Sequence, residues 1–140
     1  MPTFVHGKST VFKLDNSSGS ITDISNVLDS VSFPKSIETA DVTAFGASNK
    51  SYIVGLQDMG LSVSGKWDAT VDAHLAAIVG HSATYPTSSF EYGPQGSTAG
   101  QIKYLGECIV TSYDVSSGVG DAVSFSLQLQ ATGAITRTTW

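Results

Sequence analysis

The sequence predicts a mainly β protein, an antiparallel β-sandwich or partly closed barrel with one flanking α-helix at about residues 69–80. Short runs of alternating apolar and polar residues recur along the chain and are separated by turns rich in Gly, Ser and Asn. About a quarter of the 140 residues are Ser or Thr, and only 14% are charged. This composition favours sheets and turns over helices.

The stretch from Leu56 to Gly80 shows both kinds of periodicity. Its first half alternates polar residues with Met59, Leu61, Val63 and Trp67, which predicts a strand with one buried face. After Asp68 the spacing becomes i, i+4, i+7, i+8, at Val71, Leu75, Ile78 and Val79, which is one stripe of a helix. Asp68 or Thr70 suits the N-cap, and Gly80 suits the C-terminal end.

The first third of the chain predicts short strands joined by turns. The predicted strands are Thr10 to Leu14, Ser20 to Ile24, and Val27 to Phe33, the last ended by Pro34. Asp15 to Gly19 has the composition of a turn. Its acidic start is also that of a calcium-binding loop, but the later oxygen ligands of such a loop are missing, so we predict a turn. Ile37 to Val42 fits either a strand or an extended lead-in.

A segment of small residues from Thr43 to Lys50 predicts a mobile loop that carries one large apolar side chain, Phe45. Such an aromatic residue either folds back onto its own core or docks on a neighbouring molecule, and the sequence favours neither. Tyr52 to Val54 begins the next strand, and Gly55 suits a β-bulge there.

The second half predicts more strands, at Phe90 to Tyr92, Ile102 to Leu105, Glu107 to Val115 and Ala122 to Ala131, with a break at Gly106. The last of these has the cleanest alternation, with a polar face made by Ser124, Ser126, Gln128 and Gln130. Ile135 to Trp140 either extends the sheet or leaves as an arm. We therefore expect about eight short strands in a single domain over residues 1–140, with Met1 to Lys8 as a second candidate arm.

No chemistry-bearing motif is present. The sequence lacks the nucleophile elbow of hydrolases, the phosphate-binding loop, the glycine motif of dinucleotide-binding proteins and the zinc-protease motif. Its three His residues do not have the spacing of metal ligands. Cys108 lies in a strand-like run, where a structural thiol is expected rather than a nucleophile. We therefore predict no enzyme activity, no cofactor and no metal, which leaves an assembly or binding role.

Charge narrows the possible partners. The net charge is −5 and the pI is about 4.8, which argues against a protein that grips nucleic-acid phosphates. So few charged residues suggest that much of the surface is covered by other copies of the chain. No apolar run approaches the length of a membrane span, and no signal peptide is evident, so we expect assembly in a cytoplasm without a membrane partner.

Three consecutive segments resemble the tail tube (major tail) proteins of long-tailed bacteriophages. These segments are Thr39 to Gly46 (TADVTAFG), Tyr52 to Asp58 (YIVGLQD) and Leu61 to Asp68 (LSVSGKWD). They are similar to that family's loop, turn and strand-to-helix pattern, and the resemblance runs from about Val11 to Thr136.

The resemblance implies a β-sandwich with one helix, assembled as hexameric rings that stack into a hollow tube through which DNA passes without specific binding. It implies a place in the virion tail, with other tail or head-completion proteins as partners. The inter-subunit loop of the family matches Thr43, Ala44, Phe45, Gly46, Asn49, Lys50 and Tyr52. Strands with polar faces would line the lumen, and Ser124, Ser126, Gln128 and Gln130 are candidates.

Two other functions fit the same composition. A phage head decoration or minor capsid protein would stabilise the shell as a small closed oligomer. A carbohydrate-binding β-sandwich would need exposed Trp or Tyr in a groove, whereas Trp67 is predicted on the buried face. Strand pairing between copies and a loop that reaches a neighbour distinguish the tube from both.

Overall fold

The computed structural model describes residues 2, 4–16, 18–79 and 86–140. Eight strands and one α-helix are found there, with two short 3-10 helices at Gly7–Ser9 and Ser25–Val27. The strands are β1 (Val11–Asp15), β2 (Ile21–Asp23), β3 (Leu28–Ser32), β4 (Lys35–Asp41), β5 (Tyr52–Lys66), β6 (Ser88–Gly93), β7 (Ile102–Ser116) and β8 (Ser124–Thr139). The helix, α1, spans Ala69–Ile78.

The strands form one open antiparallel sheet in the order β2-β1-β6-β7-β8-β5-β3, and β4 pairs with β5 beside β3. The sheet folds into two layers because β7 and β8 run through both. The front layer consists of β3, the second half of β5, the first half of β8 and the second half of β7. The rear layer consists of β2, β1, β6 and the remaining halves of β7 and β8. The predicted mainly β sandwich with one helix is confirmed.

The core fills the space between the two layers and α1. Phe12, Leu14 and Phe90 enter it from the rear layer, and Leu61, Val63 and Leu127 enter it from the front layer, each with at most 1% of its surface exposed. The helix contributes Val71, Leu75 and Ile78. Because a fully buried side chain of this size contributes about 1.5–3 kcal/mol, this cluster is the main source of stability.

The helix begins as the sequence predicts. The carboxylate of Asp68 accepts hydrogen bonds from the backbone N–H groups of Thr70 (3.1 Å) and Val71 (3.3 Å). In the first turn, Asp72 accepts a 2.7 Å bond from the Tyr113 hydroxyl of β7, which ties the helix to the sheet. The helix ends at Ile78, and Gly80 lies outside the described residues.

Several predicted boundaries are wrong. β5, β7 and β8 are not short but 15, 15 and 16 residues long. Gly106 does not interrupt β7, because a register shift between Leu105 and Glu107 absorbs the irregularity. Trp67 follows the end of β5 and is 38% exposed, so it does not belong to the buried face. At the C-terminal end, residues 135–139 extend the sheet and do not form a free arm.

Candidate assembly surface

The most exposed part of the described chain is the hairpin made by β4 and the first half of β5. Every residue from Pro34 to Asp58 is exposed, on both faces of the ribbon. Seven large apolar side chains are among them: Ile37, Val42, Phe45, Tyr52, Ile53, Val54 and Leu56. A two-stranded ribbon with no covered face is at best marginally stable in water, so these exposed apolar side chains make the hairpin a candidate contact surface.

The tip of the hairpin is nevertheless well ordered by hydrogen bonds. Val42 N–H donates to the carbonyl of Ser51 over 2.8 Å, and Ser51 N–H donates to the Thr43 hydroxyl over 2.8 Å. Thr43 N–H in turn donates to the carboxylate of Asp41 over 2.9 Å. Gly46 adopts the left-handed conformation (φ +83°) that the turn needs. The tip is a shaped turn and not an irregular loop.

The predicted inter-subunit residues therefore lie together on this tip. Thr43, Ala44, Gly46, Asn49 and Lys50 are exposed loop residues, while Tyr52 is the first residue of β5. Phe45 is fully exposed and makes no contact with the core of its own chain. Of the two interpretations left open by the sequence, packing on the chain's own core is wrong for this structure. The bulge predicted at Gly55 is confirmed, since the register between β4 and β5 shifts opposite it, between Ile37 and Thr39.

The outer face of the front layer is a polar surface. Residues in register across its strands form two rows, Ser30–Ser64–Ser126–Asp114 and Ser32–Ser62–Gln128–Ser112. Ser62 donates to the Gln128 side chain over 2.8 Å, and Gln130 donates to Asp58 over 2.5 Å. Among the described residues, the only cation we find on this face is Lys66, which pairs with Asp29 at 3.6 Å.

The four predicted lumen residues share this polar face. Ser124 and Ser126 are half-buried, and Gln128 and Gln130 are exposed. The opposite side of the same strand carries Phe125, Leu127 and Leu129 in the core. The alternation predicted for this strand is confirmed from Ser124 onward, whereas Val123 precedes the strand and is 36% exposed.

Both edges of the front layer are open in the described chain. β3 has a registered partner only in β5, so its outer edge is unpaired. At the other side, β6 pairs with β7 only as far as Cys108, and the residues Ser112 to Ser116 pair with β8 alone. Unpaired edges of this kind are templates for pairing with another chain.

An aromatic pocket of about 570 Å³ opens at the base of the hairpin, where the two layers separate. Its wall contains an aromatic cluster in which the ring of Phe33 lies 5.4 Å from that of Tyr104 and 6.1 Å from that of Tyr92. Lys35 and Arg137 are its two cations. The remaining lining residues are Met59, Pro94 and Ile135. Burial raises the pKa of Tyr92, so its phenol stays protonated at neutral pH.

The candidate groups for chemistry have structural partners. Cys108 is fully buried, its thiol donates to the Ser88 carbonyl over 3.3 Å, and burial raises its pKa to about 12. His74 flanks the helix stripe as predicted, and its Nε2–H donates to the Asp15 carbonyl over 2.7 Å.

Within the described ranges no group of three His, Cys, Asp or Glu could hold a metal ion. No helix of the described chain has the length and apolar character needed to cross a membrane.

Comparison with known proteins identifies the family. The family model described as "Phage tail tube protein" matches residues 5–137. The chain belongs to the phage tail tube protein family. It is thus a structural protein of the virion tail, and this assignment decides against the head decoration and carbohydrate-binding alternatives. No curated protein matches the chain.

Solved structures of tail tubes share the fold. The tail of an empty GTA particle, refined with C6 symmetry, has a TM-score of 0.76 at 22% identity, covering 96% of this chain and 98% of that chain. The SPP1 tail tube has a TM-score of 0.71 at 14% identity, covering 97% of this chain and 80% of that chain. A sheath-tube complex of an extracellular contractile injection system (PVC) has a TM-score of 0.69 at 11% identity, covering 97% of this chain and 92% of that chain.

The sequence did not reveal the full extent of the hairpin or the aromatic pocket. One signal for the hairpin was available, because Tyr52, Ile53 and Val54 are consecutive apolar residues and place apolar side chains on both faces of one strand. The pocket joins residues from five strands and two connections, so no local pattern could have indicated it.

Proposed function

We propose that this tail tube protein assembles into stacked hexameric rings that form a hollow tube, and that the phage genome passes through the lumen without specific binding. The observation that carries the proposal is the combination of two open edges on one polar layer with a fully exposed hairpin. Six-fold symmetry is supported by the C6 tail of the GTA particle, which shares the fold.

The open edges support ring formation. β3 and the second half of β7 lie at opposite sides of the front layer, so an edge of one copy can pair with the different edge of the next. Contacts between two different surfaces are heterologous, and they close into a ring when the rotation between copies allows it. Ring closure also removes the exposed edges, which would otherwise promote aggregation.

The polar face of the front layer supports the proposed lumen. Ser and Gln side chains dominate it, and its Lys66 is already paired with Asp29. A basic lumen would hold the phosphate backbone through counterion release. An acidic surface repels phosphate and a neutral polar surface does not hold it, so DNA can slide past, which suits a conduit. We therefore place Ser124, Ser126, Gln128 and Gln130 on the inner wall.

The hairpin supports contact between copies beyond strand pairing. β4 alone has seven residues, and at about 3.4 Å per residue it carries the tip about 20 Å from its base. Its apolar side chains become buried only if the ribbon lies on another subunit. The candidate loop residues Thr43 to Tyr52 would then make the contact between subunits or rings.

Substitution of the tip tests this role. Phe45→Ala is expected to reduce the amount of polymer recovered by sedimentation and seen by negative-stain electron microscopy, because the largest exposed apolar side chain at the contact is lost. The melting temperature of the monomer should not change, since Phe45 is fully exposed. Val119→Ala is the matched control, because Val119 is equally exposed at the turn between β7 and β8. An unfolded monomer, or polymer equal to wild type, would contradict the proposal.

A further inference from the structure

We propose that the aromatic pocket of one subunit receives the Phe45 side chain of a second copy of this chain. This inference rests on the proposed tube and names the receptor for the hairpin tip. It joins two features that are separate within one molecule, a fully exposed Phe and a cavity of about 570 Å³ lined by aromatic and aliphatic side chains and two cations.

The pocket suits an aromatic side chain. Phe33 and Tyr104 form one wall, with ring centroids 5.4 Å apart, and Met59 and Ile135 supply flexible aliphatic contacts. Aromatic pairs at 4.5–7 Å gain energy beyond area burial. Lys35 and Arg137 are the charged groups of the lining, and cations favour the face of an aromatic ring.

The pocket cannot be filled by Phe45 of the same chain. Lys35 lines the pocket and is the first residue of β4, whereas Phe45 lies beyond the far end of that strand. The length of β4 separates them by about 20 Å, and the ladder to β5 keeps the ribbon extended. A Phe45 side chain that occupies the pocket must therefore come from a second copy, and the base-to-tip distance then sets the offset between consecutive subunits.

Phe4 is the competing occupant, because it is also an exposed Phe (91%). Phe45 is favoured because its turn is fixed by hydrogen bonds between Thr43 and Ser51, so little conformational entropy is lost on docking. Phe4 precedes the first regular element and has no such support.

Site-specific photocrosslinking tests the inference on assembled polymer. A benzoylphenylalanine replaces Phe45 and, in a matched variant, Phe4, and crosslinked peptides are mapped by mass spectrometry after irradiation. In the polymer we expect a crosslink between subunits, from position 45 to the segments that contain Phe33, Tyr104 or Ile135. The same crosslink should not form in unassembled protein. Irradiated polymer that crosslinks elsewhere from position 45, or reaches the pocket only from position 4, would overturn the inference while leaving the tube intact.

The proposed function and the inference fail in distinguishable ways. If unmodified protein forms no polymer, the proposed tube fails first. If polymer forms, Tyr104→Ala and Arg137→Ala should each lower its yield several-fold, whereas Val119→Ala, which lies outside both the hairpin tip and the pocket, should not. Polymer yields equal to wild type for both pocket variants would overturn the inference, whether or not a crosslink is found. Circular dichroism of each monomer shows whether a loss of polymer reflects misfolding.

Discussion

At the scale of single residues, Gly65 shows how closely two strands meet. A Cβ atom at this position would lie 2.1 Å from the carbonyl oxygen of Val27 and 2.8 Å from the Cα atom of Leu28. Only a residue without a side chain allows the start of β3 to lie this close to β5. The glycine is thus required by packing against neighbouring backbone, which cannot move aside as a flexible side chain could.

Gly65→Ala is therefore expected to destabilise the monomer by about 3 kcal/mol or more, since it overpacks a site bounded by backbone. Gly60→Ala in the same strand is the matched control, because the nearest atom to its Cβ would be 3.7 Å away. Its effect should stay within about 1 kcal/mol. Urea denaturation measures the stability of both variants, and equal midpoints would show that the close approach of β3 to Gly65 does not require a glycine.

The buried thiol of Cys108 gives a second prediction at this scale. Burial raises its pKa to about 12, with smaller effects from Glu107 and Asp15, so at about pH 8 almost no thiolate is present. Alkylation requires the thiolate and access to it. Native protein should resist iodoacetamide, and protein in denaturant should react at once. Rapid labelling of the native protein would show that β7 opens far more readily than its burial implies.

At the scale of elements, the helix depends on its N-terminal cap. Asp68→Ala removes the acceptor used by Thr70 and Val71 and should cost about 1 kcal/mol of stability. Asp68→Asn keeps an oxygen acceptor and should cost only a few tenths of that. Thermal unfolding of the monomer measures both. The same loss from both substitutions would mean that charge, and not the hydrogen bonds, stabilises this end.

The elements also show how much the sequence could predict. The helix and the alternating faces of β5 and β8 were predictable because one side of each packs on the core, so periodicity reports burial. Periodicity could not predict the extent of the hairpin, since β4 and the first half of β5 have no buried side and therefore no period to read. Pairing across it depends on residues outside any local window, and the same is true of the aromatic pocket.

At the scale of the whole molecule, the two kinds of surface that lack a partner in the monomer suit different contacts in the proposed assembly. The open edges of the front layer suit contacts around a ring, and the hairpin suits contacts that reach farther. Composition predicted covered surfaces, and the resemblance predicted which loop would be involved. Neither could place the two edges, because these follow from the order of strands across the sheet.

The assembly that we propose is a six-fold hollow tube made of copies of this chain. Electron microscopy of the purified wild-type protein over a concentration series, with rotational averaging of end-on views, tests it most directly. We expect hollow tubes or stacked rings with six-fold cross-sections, whose amount rises steeply with concentration. Discrete small oligomers at every concentration, or a ring of different symmetry, would contradict the claim.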